Sequence, residues 1–188
     1  MTKDQLSSWR AFYGPRDKAF HEANLSGKEL VRWKFQRYAK NYLRCVRGVD
    51  DSVGKIQDTL KNLKLDENTV VIYSSDQGFY IGDHGWYDKR WMYEESLMMP
   101  LIVKWPGVTK AGSRSKQMVQ NLDYAQTFLQ MAGANIPANM QGKSLVPILK
   151  NGRAENWRDS IYYHYYEYPS VHMIPGHYGI GTDRYNLI

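Results

Sequence analysis

The longest hydrophobic pattern in the chain is a stripe of apolar and aromatic residues that recur at steps of three and four. The stripe comprises Val31, Phe35, Tyr38, Tyr42, Cys45, Val49, Val53, Ile56, Leu60 and Leu63. This spacing is that of a helix with one buried face, so it predicts a long amphipathic helix. Gly48 and Gly54 lie inside the segment, and because glycine lowers helix propensity we expect them to divide or bend it.

Two apolar runs after this helix predict strands. Thr69–Tyr73 follows the polar turn "KLDENT", and Leu101–Trp105 lies between Pro100 and Pro106. Neither run alternates apolar and polar residues, which favours a sheet covered on both faces, and the order of helix, strand, irregular span and strand is typical of an α/β fold. We therefore expect the first strand to end at the rim of a parallel sheet, where α/β proteins bind ligands.

The next pattern predicts two short helices. The first covers residues 124–132, with Asp123 as its N-cap and Gly133 directly after its end. The run "SLVPILKNG" predicts a helical turn that ends at Gly152.

The last part of the chain predicts an antiparallel hairpin. The aromatic runs "SIYYHYYEYP" and "HYGIGTDRYNLI" flank a loop that contains proline and glycine. We therefore divide the chain into residues 1–152, which belong to an α/β domain, and residues 153–188, which begin an antiparallel subdomain. Because the chain stops within an apparent strand and starts in a loop-like segment, we expect it to be truncated at both ends.

The composition narrows the class of protein. With 43% hydrophobic and 23% charged residues the chain is globular, and disorder is not expected. The net charge of +6 comes from basic residues that are scattered apart from the solvated face of one helix, so no nucleic-acid partner is expected. No run of about 18 apolar residues is present, so no membrane association is expected. The single cysteine, Cys45, excludes an internal disulfide, and its place on the apolar stripe predicts a packed core thiol.

A carboxylate and an amide follow the first strand directly, at Asp76 and Gln77. Their oxygens are hard ligands that suit Ca²⁺ or Mg²⁺, and Gly78 would let the backbone turn sharply beside an ion. Two side chains cannot supply the roughly six to eight oxygens that Ca²⁺ takes, so further ligands must come from elsewhere. The alternative is that both residues only cap the loop, as in an Asx turn.

Lys89 follows on the same irregular span. It could be an ordinary solvated lysine, or it could form an ion pair with Glu94 or Glu95. In the functional interpretation it is a cation that stabilises an anionic group bound near the metal.

The span "TVVIYSSDQGFYIGDHGWYDKRWMYEESLMMPLIVKWPG" resembles the C-terminal half of type I sulfatases, within the alkaline-phosphatase-like superfamily. It is especially similar to sulfatases that act on N-acetylglucosamine 6-sulfate and other glycosaminoglycans. The resemblance extends over nearly the whole chain, through "YAKNYLRCVRGVDDSVGKI" upstream and "VQNLDYAQTFLQMAGANIPANMQGKSLVPIL" and "HYGIGTDRYNLI" downstream. It implies an α/β fold: part of an alkaline-phosphatase-like mixed sheet flanked by helices, followed by the start of a small antiparallel C-terminal subdomain.

The resemblance also implies roles for individual residues. Asp76 and Gln77 match the pair that ligates the active-site Ca²⁺, and Lys89 matches the lysine that contacts the substrate sulfate. His84 and His177 lie in segments that line the substrate side in relatives. Without the resemblance, His84 would be taken to order its loop and His177 to belong to a hairpin loop. A cluster of tyrosines could stack on a sugar or simply occupy both faces of a half-buried strand: Tyr162, Tyr163, Tyr165, Tyr166 and Tyr168.

The chain departs from the family pattern in one decisive respect. Type I sulfatases carry a C/S-x-P-x-R motif whose Cys or Ser becomes the formylglycine nucleophile, and the 188 residues contain no such motif. We therefore expect the N-terminal half of the enzyme to supply the nucleophile, and the isolated chain to be inactive. Apolar surface that would pack on that half is expected to promote self-association. Near the end, Gly181 and Asn186 stand where relatives tend to carry Arg and Lys.

The sequence thus favours the C-terminal portion of a sulfatase whose complete form hydrolyses sulfate esters on sulfated sugars. Family resemblance places the complete protein in the periplasm or outside the cell. Two alternatives stay open: a non-catalytic carbohydrate-binding or structural module, and a phosphate-ester hydrolase of the same superfamily.

Overall fold

The computed structural model describes residues 1–188, which form two compact units, Met1–Asp50 and Asp51–Ile188. Helix α1, Lys3–Glu22, begins with a reciprocal capping box. The Thr2 hydroxyl accepts a hydrogen bond from the Gln5 amide, and the Gln5 side chain accepts one from the Thr2 amide. Two amide donors of the first helical turn are thereby satisfied.

Helix α2, Gly27–Asn62, confirms the helix predicted from the apolar stripe. The expected division at Gly48 and Gly54 is wrong, because the helix is continuous through both positions. The cost of a glycine in a helix, about 1 kcal/mol, is small beside the hydrogen bonds of a helix this long.

The predicted burial of the stripe is also wrong within this chain. No residue of α2 is buried, and Val31 and Val49 are 66% and 44% exposed. Cys45 is exposed and is not a packed core thiol, since the stripe to which it belongs is uncovered. Helical spacing therefore specified the helix without specifying what covers its apolar face.

Strands β1, Val71–Ser74, and β2, Leu101–Lys104, confirm the two predicted strands with small shifts at their ends. They pair with each other in a two-stranded antiparallel sheet, with Val71 opposite Lys104 and Ser74 opposite Leu101. The expectation of a parallel sheet at this point is wrong. Parallel neighbours require a crossover connection, whereas the loop of residues 75–100 returns the chain directly alongside β1.

One short helix, α3, Glu94–Leu97, lies in the connection between β1 and β2, and two more follow β2: α4, Tyr124–Met131, and α5, Val146–Asn151. Gly133 and Gly152 adopt the left-handed conformation after α4 and α5, with φ of 68° and 77°, and so end these helices as predicted. Asp123 precedes α4, but its side chain does not cap that helix. Its carboxylate binds Arg158 instead.

The C-terminal strands form a three-stranded antiparallel sheet in the order β3, Ser160–Tyr165; β4, His177–Thr182; and β5, Asn186–Leu187. The predicted hairpin is confirmed, with Ser160 opposite Thr182. Gly179 is buried where a Cβ would clash with the Met92 side chain and the Leu187 carbonyl, so this position requires glycine. The division between residues 1–152 and 153–188 stays a prediction.

The buried apolar side chains lie in two places. Tyr80 and Met92 are fully buried within the β1–β2 connection, and Leu145, Val146 and Ile148 are buried around α5. None of the helices combines the length and the apolar character that crossing a bilayer requires.

Candidate functional site

The connection between β1 and β2, residues 75–100, carries four of the five residues that the sequence singled out. These are Asp76, Gln77, His84 and Lys89. The segment is mostly irregular, and its shape depends on hydrogen bonds between its own residues. These four candidate residues therefore lie on one loop, which also contacts the C-terminal sheet through Arg90 and Trp91.

Tyr80 holds the middle of this loop in place. Its backbone amide donates to the Asp88 carbonyl over 2.8 Å, and its hydroxyl donates to the Trp91 carbonyl over 2.6 Å. Burial raises the pKa of the Tyr80 phenol further above neutral, so the hydroxyl stays a donor. These two bonds lie on either side of Lys89 in sequence, so Tyr80 fixes the backbone that carries the lysine.

Gly78 joins the start of the loop to α3. Its amide donates to the Ser96 carbonyl over 2.8 Å, and a Cβ at this position would clash with the Glu95 carbonyl. The sequence attributed Gly78 to a sharp turn beside an ion. The structure gives a different reason, which is the close approach of two backbone segments.

Asp76 and Gln77 leave their side-chain oxygens available to a ligand. The Asp76 carboxylate is exposed and accepts one long hydrogen bond, 3.3 Å, from the Ser75 hydroxyl. It caps no backbone amide, so the Asx-turn alternative is not seen. Gln77 is half-buried, and its side-chain amide makes no hydrogen bond within the chain.

This donor set fits a hard cation such as Ca²⁺ but does not complete its coordination. One carboxylate and one amide oxygen fall short of the roughly six to eight oxygens that Ca²⁺ takes. No group of three or more His, Cys, Asp and Glu side chains in the chain could hold a metal ion. Residues 76 and 77 therefore offer part of a site at most.

Lys89 is half-buried and forms neither a hydrogen bond nor an ion pair within the chain. The pairing with Glu94 or Glu95 considered from the sequence does not occur. Glu95 contacts His84, and Asp88 forms an ion pair with Arg90. The Lys89 ammonium is thus a partly desolvated cation whose charge no carboxylate offsets.

His84 sits at a left-handed backbone position, with φ of 55°. Its Nε2 lies 3.2 Å from the Glu95 carboxylate, and its ring stacks on Tyr93 with 4.7 Å between ring centres. His84 does order its loop, as the simpler interpretation expected. The same contacts also fix the direction in which the imidazole points.

His177 lies at the start of β4, with its ring held among aromatic side chains. Its Nδ1 is 2.9 Å from the Pro175 carbonyl, so this nitrogen is the donor. Its ring stacks on Trp91, Tyr163 and Tyr165, at 4.4, 5.6 and 5.2 Å between centres. Its Nε2 is buried and has no hydrogen-bond partner, which marks an acceptor not yet satisfied within the chain.

A row of stacked and tilted rings connects the two histidines. Successive ring centres from His84 to Trp86, Trp91 and His177 are 6.2, 6.3 and 4.4 Å apart. The Tyr163 hydroxyl adds a hydrogen bond of 3.2 Å to the Arg90 carbonyl. The structure therefore brings His177 next to the loop of residues 75–100, although the two are far apart in sequence.

The tyrosines of the hairpin divide between two faces. Tyr163 and Tyr165 face the aromatic row, whereas Tyr162, Tyr166 and Tyr168 are 64%, 77% and 54% exposed. An apolar cleft of about 620 Å³ lies along β4 and the end of the chain. It is lined by Tyr162, His177, Tyr178, Gly179, Ile180, Leu187 and Ile188.

Glu167 anchors the turn between β3 and β4. Its carboxylate accepts hydrogen bonds from Tyr165, Ser170 and His172, at 2.7, 2.8 and 2.9 Å. These bonds, that of Tyr165 first, lower the pKa of Glu167 to about 2. The turn beside His177 is thus held by a carboxylate that is ionised at any physiological pH.

Comparison with known families gives two matches that overlap along the chain. The sulfatase family profile matches residues 3–134, and the profile of the N-sulphoglucosamine sulphohydrolase C-terminal region matches residues 82–188. The chain is 44% identical to an N-acetylglucosamine-6-O-sulfatase of Bacteroides thetaiotaomicron over all of its length. It spans about a third of that relative, 34%.

Two solved structures extend the comparison. One, solved in complex with its substrate D-glucosamine-2-N,6-O-disulfate, matches at a TM-score of 0.84 and 44% identity, over 97% of this chain and 37% of that one. The other is a phosphonate monoester hydrolase from Silicibacter pomeroyi, with a TM-score of 0.58 and 28% identity over 62% of this chain and 23% of that one.

Proposed function

Because this chain belongs to the sulfatase family, we propose that it is the C-terminal part of an enzyme that hydrolyses sulfate esters on sulfated sugars. The resemblance identified from the sequence and the alkaline-phosphatase-like α/β class are confirmed by the family and structural matches. The small antiparallel sheet after residue 152 agrees with the expected C-terminal subdomain. The sulfated glucosamine bound by the similar structure supports an amino-sugar substrate.

The observation that carries the proposal is the state of Lys89. It is a half-buried cation without a counter-charge, on the same internally bonded loop as Asp76 and Gln77. A cation in this state can donate to sulfate oxygens without first breaking an ion pair. Preorganised cations stabilise the negative charge that develops in the transition state, and this effect is a main source of catalysis in ester hydrolysis.

In the complete enzyme Asp76 and Gln77 would hold a Ca²⁺ ion together with ligands from outside this chain. When bound, such an ion acts as a Lewis acid that polarises a sulfate oxygen. Lys89 donates to the sulfate group, and His84 and His177 contact the sugar. For His177 this requires that its buried Nε2 become accessible to the substrate.

The nucleophile and the remaining metal ligands come from the N-terminal half of the enzyme, which is the principal partner that we propose for this chain. The 188 residues alone are expected to release no sulfate from sulfated sugars. By family resemblance, the complete enzyme acts in the periplasm or outside the cell.

The test uses the complete reading frame that contains this chain, which we expect to encode C/S-x-P-x-R upstream. Replacement of Lys89 by Ala should lower kcat/KM for glucosamine 6-sulfate by about 100-fold or more, because a charge-stabilising donor is lost. Lys104→Ala, at an exposed position at the end of β2, is the matched control and should leave the rate unchanged. Full activity of the Lys89→Ala enzyme would contradict the proposal.

A phosphate- or phosphonate-ester hydrolase is the second candidate, favoured by the similarity to the phosphonate monoester hydrolase. Rates on sulfate, phosphate and phosphonate esters of one alcohol distinguish a sulfatase from such a hydrolase.

A non-catalytic sugar-binding module is the third candidate, favoured by the exposed tyrosines of the hairpin. It requires the isolated chain to bind sugars and the complete protein to have no esterase activity.

A further inference from the structure

We propose that Glu95 is a positioning residue, which fixes the His84 imidazole relative to residues 76–78 at the start of the same loop. The proposal concerns the site described above, so its kinetic consequence rests on the proposed function. Its structural basis is independent of that function. It lies in two contacts that a single helical turn, α3, makes with two other parts of the loop.

The first contact is between backbones. The Gly78 amide donates to the Ser96 carbonyl over 2.8 Å, and the Glu95 carbonyl fills the space that a Cβ of Gly78 would need. Ser96 is 5% exposed, and its hydroxyl donates to the carbonyls of Trp91 and Tyr93. Buried hydrogen bonds thus stabilise α3, and α3 in turn fixes the position of residues 76–78.

The second contact is between side chains. The His84 Nε2 lies 3.2 Å from the Glu95 Oε2, and the His84 ring stacks on Tyr93, the residue directly before α3. The nitrogen and one face of the imidazole are therefore both held from this turn. His84 and Gly78 are therefore both held by the same short element, α3, and the residue directly before it.

The contact with Glu95 assigns the two nitrogens of His84. An ionised carboxylate can only accept, so Nε2 carries the hydrogen and donates it. Nδ1 makes no hydrogen bond within the chain and is the nitrogen left for a ligand. In the neutral ring it accepts a hydrogen bond from a sugar hydroxyl, and in the protonated ring it donates one to a sulfate oxygen.

A ring that is fixed before the substrate arrives loses less conformational entropy on binding. Glu95 contributes through this effect and does not touch the substrate. The neighbouring Glu94 is a natural comparison, because it lies on the same turn, is exposed, and has a carboxylate that does not contact His84.

The first test is nuclear magnetic resonance of the 188-residue chain with ¹⁵N-labelled histidine, with His84 assigned from a His84→Gln variant. The Nε2–H of His84 should exchange slowly in the wild type and in Glu94→Ala. It should exchange at least about tenfold faster in Glu95→Ala, and stay slow in Glu95→Gln, whose carbonyl still accepts. Equal exchange in Glu94→Ala and Glu95→Ala would overturn the proposal. If Glu95→Ala does not fold, the wild-type spectrum alone tests the proposal. Fast exchange of the His84 Nε2–H in the wild type would also overturn the proposal.

The second test is kinetic and uses the complete enzyme with glucosamine 6-sulfate. Glu95→Ala and His84→Ala should each lower kcat/KM by about tenfold, as losses of orienting groups do. The double variant should be no slower than His84→Ala alone, because both changes remove one function. Additive losses would overturn the positioning role. A complete enzyme that hydrolyses no sulfate ester would instead contradict the proposed function and leave the exchange result unaffected.

Discussion

Asp123 is an example of a single residue whose role is structural and could be mistaken for catalytic. Its carboxylate is fully buried and binds the Arg158 guanidinium through two hydrogen bonds of 2.5 and 2.6 Å. It also accepts the amides of Gln120 and Lys143, each at 2.8 Å. These bonds join α4 to the segments before it and after it, so the carboxylate acts as an internal cross-link.

Replacement of Asp123 by Ala should lower the free energy of unfolding by about 3–5 kcal/mol. The change leaves the buried Arg158 cation without its partner and two amides without an acceptor. Urea unfolding followed by circular dichroism measures the effect. Asp159→Ala removes an exposed carboxylate nearby and should change stability by less than about 0.5 kcal/mol. Similar effects of the two substitutions would contradict the structural role of Asp123.

At the residue scale, the sequence reveals some candidate site residues and misses others, for a physical reason. Asp76, Gln77 and Lys89 could be singled out because hard oxygen ligands and a cation follow a strand and match a family pattern, and their roles stay predictions. Glu95 and the ion pair of Asp123 with Arg158 were missed. Their partners lie at separations with no period, and only the folded loops bring them together.

At the scale of elements, regular structure was predictable and its surroundings were not. The spacing along α2, the β-branched runs of β1 and β2, and the aromatic hairpin each depend on a local pattern, and all of them are confirmed. The pairing direction of β1 and β2 depends on how residues 75–100 return, which no local pattern encodes. The contact of α3 with Gly78 depends on two backbones and leaves no side-chain signature.

Two glycine substitutions should have opposite effects on stability. Gly78→Ala places a methyl group against the Glu95 carbonyl and should destabilise the chain by about 1–3 kcal/mol, since α3 has to move. Gly54→Ala lies in α2 with open space around it and should stabilise the chain by about 0.5–1 kcal/mol. Thermal unfolding of both variants measures the difference. Shifts of the same sign would show that the approach of α3 to Gly78 does not constrain the loop.

At the scale of the whole molecule, many large apolar side chains are exposed, and contiguous exposed apolar patches mark surfaces that bind other proteins. The exposed apolar side chains on the apolar stripe of α2 include Val31, Phe35, Val49 and Ile56. We expect this face to pack on the N-terminal half in the complete enzyme. In the isolated chain it should promote self-association.

Sedimentation velocity over a range of concentrations tests this expectation. The average mass of the isolated chain should rise with concentration, and Val31→Ser should reduce the rise by removing a 66%-exposed apolar side chain from the stripe. Asn41→Ser, at an exposed polar position on the same helix, is the matched control and should leave it unchanged. A chain that stays monomeric at all concentrations and melts in a single two-state transition would contradict the expectation.

The register of the two-stranded sheet has a consequence for protein engineering. Ser74 and Leu101 face each other across the ladder, so the intervening segment departs from the framework and rejoins it at neighbouring positions. Its shape is maintained largely by bonds among its own members, from Gly78 to Ser96 and from Tyr80 to Asp88 and Trp91. A host hairpin of matching register could therefore receive this segment, provided that the host also covers Met92 and Trp91, which pack on Gly179 and His177 in this chain.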